Sequence, residues 1–260
     1  IDNPVRYRSI KFIPDREAAS LYGGIDKILR FYNKHGFYAN EIQADNEFQA
    51  VMEEIQDELD SDMNFSNPGE HVGQAERNNR FLGERIRACY QNLPYKAIPR
   101  IMIKHMCMNQ AKNATVFPAK NGISAHYSPH TIITGQAIDF EKHCKFEFGT
   151  YVQAFVRSDN SLRARTIDAI YLTPGDNRQG GHRVMNLMTG KECGAGRCKE
   201  VPLTDLVIKA VEKLAKRDGI ASLKLTNRSG VNLFPADRIA GVDYEDDDDE
   251  DDGEDKEEEE

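Results

Sequence analysis

Residues 37–59 read FYANEIQADNEFQAVMEEIQDEL, and a change of period inside that stretch sets the fold class. Phe37 to Ala44 is a short extended run ending at Asp45. Beyond it Phe48, Val51, Met52, Ile55 and Leu59 share one stripe at helical spacing. A strand handing over to an amphipathic helix is one unit of an α/β layer. Upstream, Leu21, Ile25, Ile28 and Tyr32 recur at i, i+4, i+7 and i+11. They predict a helix over about 17–31, although Gly23 and Gly24 weaken it, and VRYRSIKFI at 5–13 predicts a strand. Downstream, the turn SNPGEH at 66–71 opens a third helix over about 72–91, with Leu82, Ile86, Cys89 and Leu93 as its apolar stripe. A fourth helix, about 97–112, has Pro94 and Pro99 near its start.

The character changes after residue 112. Residues 113–145, punctuated by Pro118, Gly122, Pro129 and Gly135, read as irregular connection. Glu147–Val156, Ala164–Leu172, His182–Met188 and Lys191–Lys199 are short β-rich pieces separated by TPGDNRQGG and TGKE, a spacing that suggests a small β-barrel. Thr204 then caps a last helix through Arg217, with Gly219 at its end. The expected organisation is an α/β core at 1–140, a β domain at 141–200, a helix and linker at 201–242, and a disordered acidic tail at 243–260.

Charge divides the same way. The tail DYEDDDDEDDGEDKEEEE holds 15 acidic residues and one lysine, whereas residues 1–242 carry 33 basic and 28 acidic residues. A mildly basic body thus bears a polyanion. No run of about 18 uncharged apolar residues occurs, which excludes a membrane-spanning helix. Five cysteines (Cys89, Cys107, Cys144, Cys193 and Cys198) at irregular spacing fit reduced thiols of an intracellular protein better than a disulfide framework.

The candidate chemistry rests on carboxylates. Asp45 ends a predicted strand, the place in an open α/β sheet where ligands and catalytic groups collect. Glu76 lies one turn into the third helix. Two such carboxylates can hold a hard divalent cation through oxygen, as phosphoryl transfer requires. Arg77, Arg80, Arg85 and Arg87, then Lys96, Arg100 and Lys104, form a basic cluster suited to phosphate.

The words around these residues carry a resemblance. IQADNEFQAV at 42–51, followed by GEHVGQAERNNRFLGERIRACYQNLP at 69–94, resembles the integrase core of Ty1/copia-type retrotransposons, and Gly73-x-x-Glu76-Arg77-x-x-Arg80 is its most specific word. The likeness continues through LPYKAIPRIMIKH at 93–105, NGISAHYSPHTIITG at 121–135, CKFEFGTYVQAF at 144–155 and MNLMTGKE at 185–192, covering most of residues 5–200. It implies a truncated RNase H-like α/β core followed by a small SH3-like β-barrel. It also implies Mg²⁺- or Mn²⁺-dependent polynucleotidyl transfer joining element ends to target DNA. By that resemblance Asp45 and Glu76 are the second and third catalytic, metal-holding carboxylates of a D,D,E triad. Arg77, Asn79, Arg80 and Arg87 would contact DNA. The same resemblance implies a polyprotein fragment, self-association and a nuclear location.

Three departures accompany it. The first catalytic Asp belongs to a strand upstream of Ile1, so the chain alone is expected to lack strand transfer. The interval from Asp45 to Glu76 is shorter than the integrase signature, and no His-His-Cys-Cys set with zinc-ligand spacing is present. A rival reading is a non-catalytic nucleic-acid-binding or chromatin-interaction protein derived from an integrase, its acidic tail engaging basic partners.

The charge division generates a test. A tethered polyanion competes with DNA at an effective concentration on the order of millimolar. Deleting residues 243–260 is expected to raise non-specific DNA affinity at low salt. The gain should fade above about 0.2 M salt, where the Debye length drops below ~8 Å. A salt titration by fluorescence anisotropy measures it, and equal affinities throughout would show a tail that never touches the body.

Overall fold

Apolar stripes become elements where they find a partner surface, and the computed structural model shows which do. It describes residues 5–44, 46–52, 55–56, 61–65, 73–120, 122–156, 162, 164–175 and 180–220. The chain divides into Ile1–Ser222 and Leu223–Glu260, and every described residue belongs to the first unit. The tail therefore lies outside the described residues.

Helix α1, Ala18–Lys34, buries Leu21 and Leu29. It stops at His35, where Gly36 takes a φ of 81°, a left-handed turn that glycine adopts without a Cβ penalty. Strand β1, Glu41–Ala44, pairs in parallel with β2, Asp62–Phe65, in the register Glu41↔Asp62 to Ala44↔Phe65. Parallel strands need a crossover. Here it starts as a 3₁₀ turn, Asn46–Val51, where a regular helix was expected. Val51 and Ile55 from the crossover pack with Leu21, Ala44 and Met63 as one apolar cluster. The stripe therefore does its work although its first turn is tighter.

The strand expected at 5–13 does not form among its described residues. Side chains hold this segment instead. Tyr7 stacks on Phe31 at 5.4 Å and meets Tyr32 edge-on, while Arg8 Nε donates to Asn78 Oδ1 at 2.6 Å. Arg6 sits at a φ of 59°, which breaks an extended run.

Helix α2, Gly73–Gln91, buries Leu82 and Ile86 as its stripe predicts. Helix α3, Arg100–Val116, starts after Pro99 and runs four residues beyond its expected end, because no breaker occurs before Pro118. Met102 and Met106 are fully buried, with His105, Gln110 and Thr115 buried as well. Two short helices occupy the segment expected to be irregular: α4, Pro129–Thr134, and α5, Phe140–His143. Ser128 Oγ accepts from Thr131 N–H at 3.2 Å, Pro129 takes the first turn, and Gly135 closes α4 in the left-handed region.

The β-rich part forms β3 (Tyr151–Phe155), β4 (Thr166–Pro174), β5 (His182–Asn186), β6 (Glu192–Ala195) and β7 (Arg197–Glu200). They make one antiparallel sheet in the order β6-β5-β4-β3-β7. The protein is thus a mixed α/β structure. The sheet is not a closed barrel: among the described residues no ladder joins β6 to β7. Yet only Gly196 separates these two rim strands, so the rims meet at one corner and the sheet must be strongly curled. Inside the curl lie Val152, Ala154, Ala169, Tyr171, Val184, Ala195 and Cys198. Ile170 and Leu172 point the other way and are fully buried too, where β4 meets α3. A strand covered on both faces loses its alternation, hence IYLTP. Helix α6, Asp205–Arg217, follows with Val207, Val211 and Leu214 buried; Thr204 sits at its N-cap but its side chain makes no capping bond.

Gly149 joins the helices to the sheet. Its N–H donates to Tyr171 O at 2.9 Å, its carbonyl accepts from Tyr95 Oη at 2.9 Å, and its φ is 89°. A Cβ there would collide with Leu93 Cδ2. Gly149→Ala is expected to cost about 1–3 kcal/mol, from left-handed strain plus the displaced Leu93. Tyr95→Phe, which leaves the Gly149 carbonyl without its donor, should cost about 1–2 kcal/mol. Urea unfolding of both variants measures this.

Candidate functional site

Asp45 lies outside the described residues, but its neighbours fix the frame: Ala44 is the last residue of β1 and Asn46 opens the 3₁₀ turn. Glu76 lies in the first turn of α2, among residues whose backbone alone is described. Its helical stripe continues at i+4 and i+11 through Arg80 and Arg87. Arg77, Asn79 and Arg80 are exposed, as contact with a polyanion requires. Arg87 is not: it is only 8% exposed, so the stripe runs from solvent at its N-terminal end into the packed interior. That burial sets Arg87 apart from the three exposed residues expected to contact DNA.

A second basic feature stands beside this helix. The Arg8 guanidinium lies 4.6 Å from the Phe81 ring centroid and that of Arg85 lies 5.3 Å from it. Burial pulls the Arg8 pKa below its ordinary value, and the charges of Arg6 and Arg85 add to the depression. Three cations held this close favour an anion among them.

A concavity of about 710 Å³ lies between the 7–11 segment (which includes Arg8), α3 and the α4–α5 stretch. Phe31, Met108 and Val116 give it an apolar floor. Arg8, Lys11, Lys104, Lys112 and Arg183 line it against two carboxylates, Asp139 and Glu192. Glu192 is already engaged: its Oε1 accepts from Arg183 Nη1 at 2.6 Å and its Oε2 lies 2.9 Å from His105 Nε2. Burial alone would raise the Glu192 pKa, but the bonds from Arg183 and His105 outweigh it and hold the group below the ordinary carboxylate value. His130 also lines the cleft; burial lowers its pKa, and Lys112, His143 and His35 lower it further.

Sequence reasoning found only Lys104 among these cleft cations, and as part of a different cluster. Lys11, Lys112, His130 and Arg183 come from four distant segments, so no local spacing announces them. The Arg77–Lys104 cluster itself is divided in the fold: Lys96 N–H donates to Glu212 Oε1 and Arg100 N–H to Asp218 Oδ2, which sets that turn against α6.

The cysteines are free thiols. Cys193 lies on β6 and Cys198 on β7, where burial pushes the Cys198 thiol up to about 11, with Cys193 adding and Lys145 opposing. Such a group is a packing residue, not a nucleophile. Among the described residues no group of three or more His, Cys, Asp and Glu could hold a metal ion, and no helix is long and apolar enough to cross a membrane. No family model matches the chain, and no curated protein matches it.

The His105–Glu192–Arg183 set links α3 to the sheet and is sensitive to pH. A depressed carboxylate stabilises the fold above its unfolded pKa, and that contribution is lost as pH falls through the folded value. Glu192→Gln should therefore lower stability by about 1–3 kcal/mol at pH 7. The difference from the unaltered protein should shrink below pH ~4, as Glu192 itself takes up a proton. Urea midpoints at the two pH values measure this.

Proposed function

We propose that the chain carries integrase sequence of the Ty1/copia retrotransposon type, with an RNase H-like core and an SH3-like β domain, acting on DNA by metal-dependent polynucleotidyl transfer. The observation that carries the reading is the parallel pair β1–β2. Asp45 follows directly on the carboxyl end of β1, and Glu76 sits in the first turn of the helix that follows β2. That order of strand, acidic residue, crossover, parallel strand and acidic helix is the local arrangement the resemblance implies. The sheet adds support. Counting its strands from β3 as the first gives the order 5-1-2-3-4 with a one-residue link between the last two, a connectivity that suits an SH3-like fold.

The donor set fits its metal by type. Carboxylate oxygens are the ligands a hard cation such as Mg²⁺ or Mn²⁺ takes. Asp45 and Glu76 would hold it, and when bound it would activate an attacking oxygen and stabilise the leaving one. The chain's own part is positional. Arg77, Asn79 and Arg80, exposed on the turn that carries Glu76, would hold the phosphate backbone in register. Arg87, being buried, would fix the far end of α2 instead. The nucleus, with its DNA and basic proteins for the acidic tail, is the compartment this reading requires.

Mn²⁺ titration followed by NMR tests the metal pair. Paramagnetic broadening should centre on Ala44, Asn46 and the first turn of α2, and should disappear in Asp45→Asn/Glu76→Gln. Broadening centred on the acidic tail alone, or unchanged in the double variant, would remove the catalytic reading.

A further inference from the structure

The 710 Å³ cleft has a neighbour that its charge alone does not explain. Phe117 and Phe140 stack on each other at 5.8 Å with their planes 23° apart, yet they are 62% and 48% exposed. Each is one residue on from a cleft-lining residue, Val116 and Asp139, so the pair stands at the rim. Two large rings stacked on each other and exposed present a flat apolar surface beside a cationic cleft. Base–aromatic stacking tolerates any sequence, since every base has a π-face. Lys11 from the 7–11 segment and Lys104 from α3 line the cleft and make no ion pair with a described residue.

We propose that this cleft binds an unpaired nucleic-acid strand, its phosphates along Lys11, Lys104 and Lys112 and a base on the Phe117–Phe140 pair. An apolar lining with cationic side chains and an aromatic rim fits a single strand better than a duplex, whose bases are already stacked on one another and cannot also stack on the rings. The site shares no residue with the Asp45–Glu76 pair and needs no metal. It deepens the proposed action on DNA by naming the form of strand held away from the carboxylates, and it is tested independently of them.

Fluorescence anisotropy with a labelled 12-nucleotide single strand, the matching duplex and a mononucleotide, all in EDTA, decides it. Expected is tighter binding of the single strand than of either competitor. Phe117→Ala/Phe140→Ala should weaken it about tenfold or more, with the salt dependence kept. Lys11→Ala/Lys104→Ala should weaken it and flatten the log–log salt slope by about 1.4, two phosphates at roughly 0.7 each. Circular dichroism checks that both variants fold, and because all four side chains are on the surface of the cleft or its rim, either pair alone is decisive. Asp45→Asn/Glu76→Gln should leave the single-strand affinity unchanged, which separates this site from the metal reading. Equal affinity for strand and duplex, tight binding of the mononucleotide alone, or indifference to both pairs of substitutions would overturn the proposal.

Discussion

Everything described here is arranged around the burial of helix α3. A helix with one apolar stripe needs one neighbour; α3 buries Met102 and Met106 completely and takes His105, Gln110 and Thr115 inside with them, so it needs neighbours on several sides. Strand β4 covers one of them, α2 and the short α4 others, and the turn after Pro94 is fastened to α6. The buried polar groups are what make these contacts specific. His105 finds Glu192 on β6, and the first backbone N–H of α3 finds Asp218 just beyond the end of α6, more than a hundred residues on. A helix terminus needs acceptors for its first four N–H groups, and here tertiary structure supplies one where the sequence offers no local cap.

Both candidate sites inherit their positions from this arrangement. Along α2 exposed Arg77, Asn79 and Arg80 give way to buried Leu82, Ile86 and Arg87, because the helix enters the packed interior from its middle onward. The cleft exists because the 7–11 segment, tied by Tyr7 to α1 and by Arg8 to α2, passes over α3 without joining a sheet. Its cations line a solvent-open concavity, where their charges escape the cost of an unpaired charge in the low-dielectric interior.

Much of the fold was legible. The segments expected as α1, α2, α3 and α6 each become helices close to their expected bounds, and the turn residues between the β pieces separate real strands. What escaped has physical reasons. Strand β2 reads DMNF, four residues of mixed polarity whose pairing with β1 depends on the crossover and not on any pattern of its own. The 5–13 run alternates, but its Tyr7 packs on Phe31 and Tyr32 of α1 while Arg8 reaches Asn78 and Phe81 of α2, an arrangement whose sequence pattern cannot be told from a strand in a sheet. The short helix α4 carried its signals, Ser128 before Pro129 and Gly135 after, but they sat among so many breakers that they read as loop. Asp45, Glu76 and the exposed arginines are candidates that words of sequence single out. The cleft is not among them, since its members meet only in three dimensions.

The single residue between β6 and β7 has a kinetic meaning. β7 completes its ladder with β3, about forty residues back along the chain, and it can do so only after β4, β5 and β6 have brought Gly196 round to that rim. The chain entropy of closing the curl is therefore met in one late step and not strand by strand. In the native state the same link runs in reverse: β6 cannot leave β5 without pulling on β7. The amides of the two outermost strands should consequently exchange with solvent as one cooperative unit, so that a sheet open in its hydrogen bonding behaves, in its fluctuations, as though it were closed.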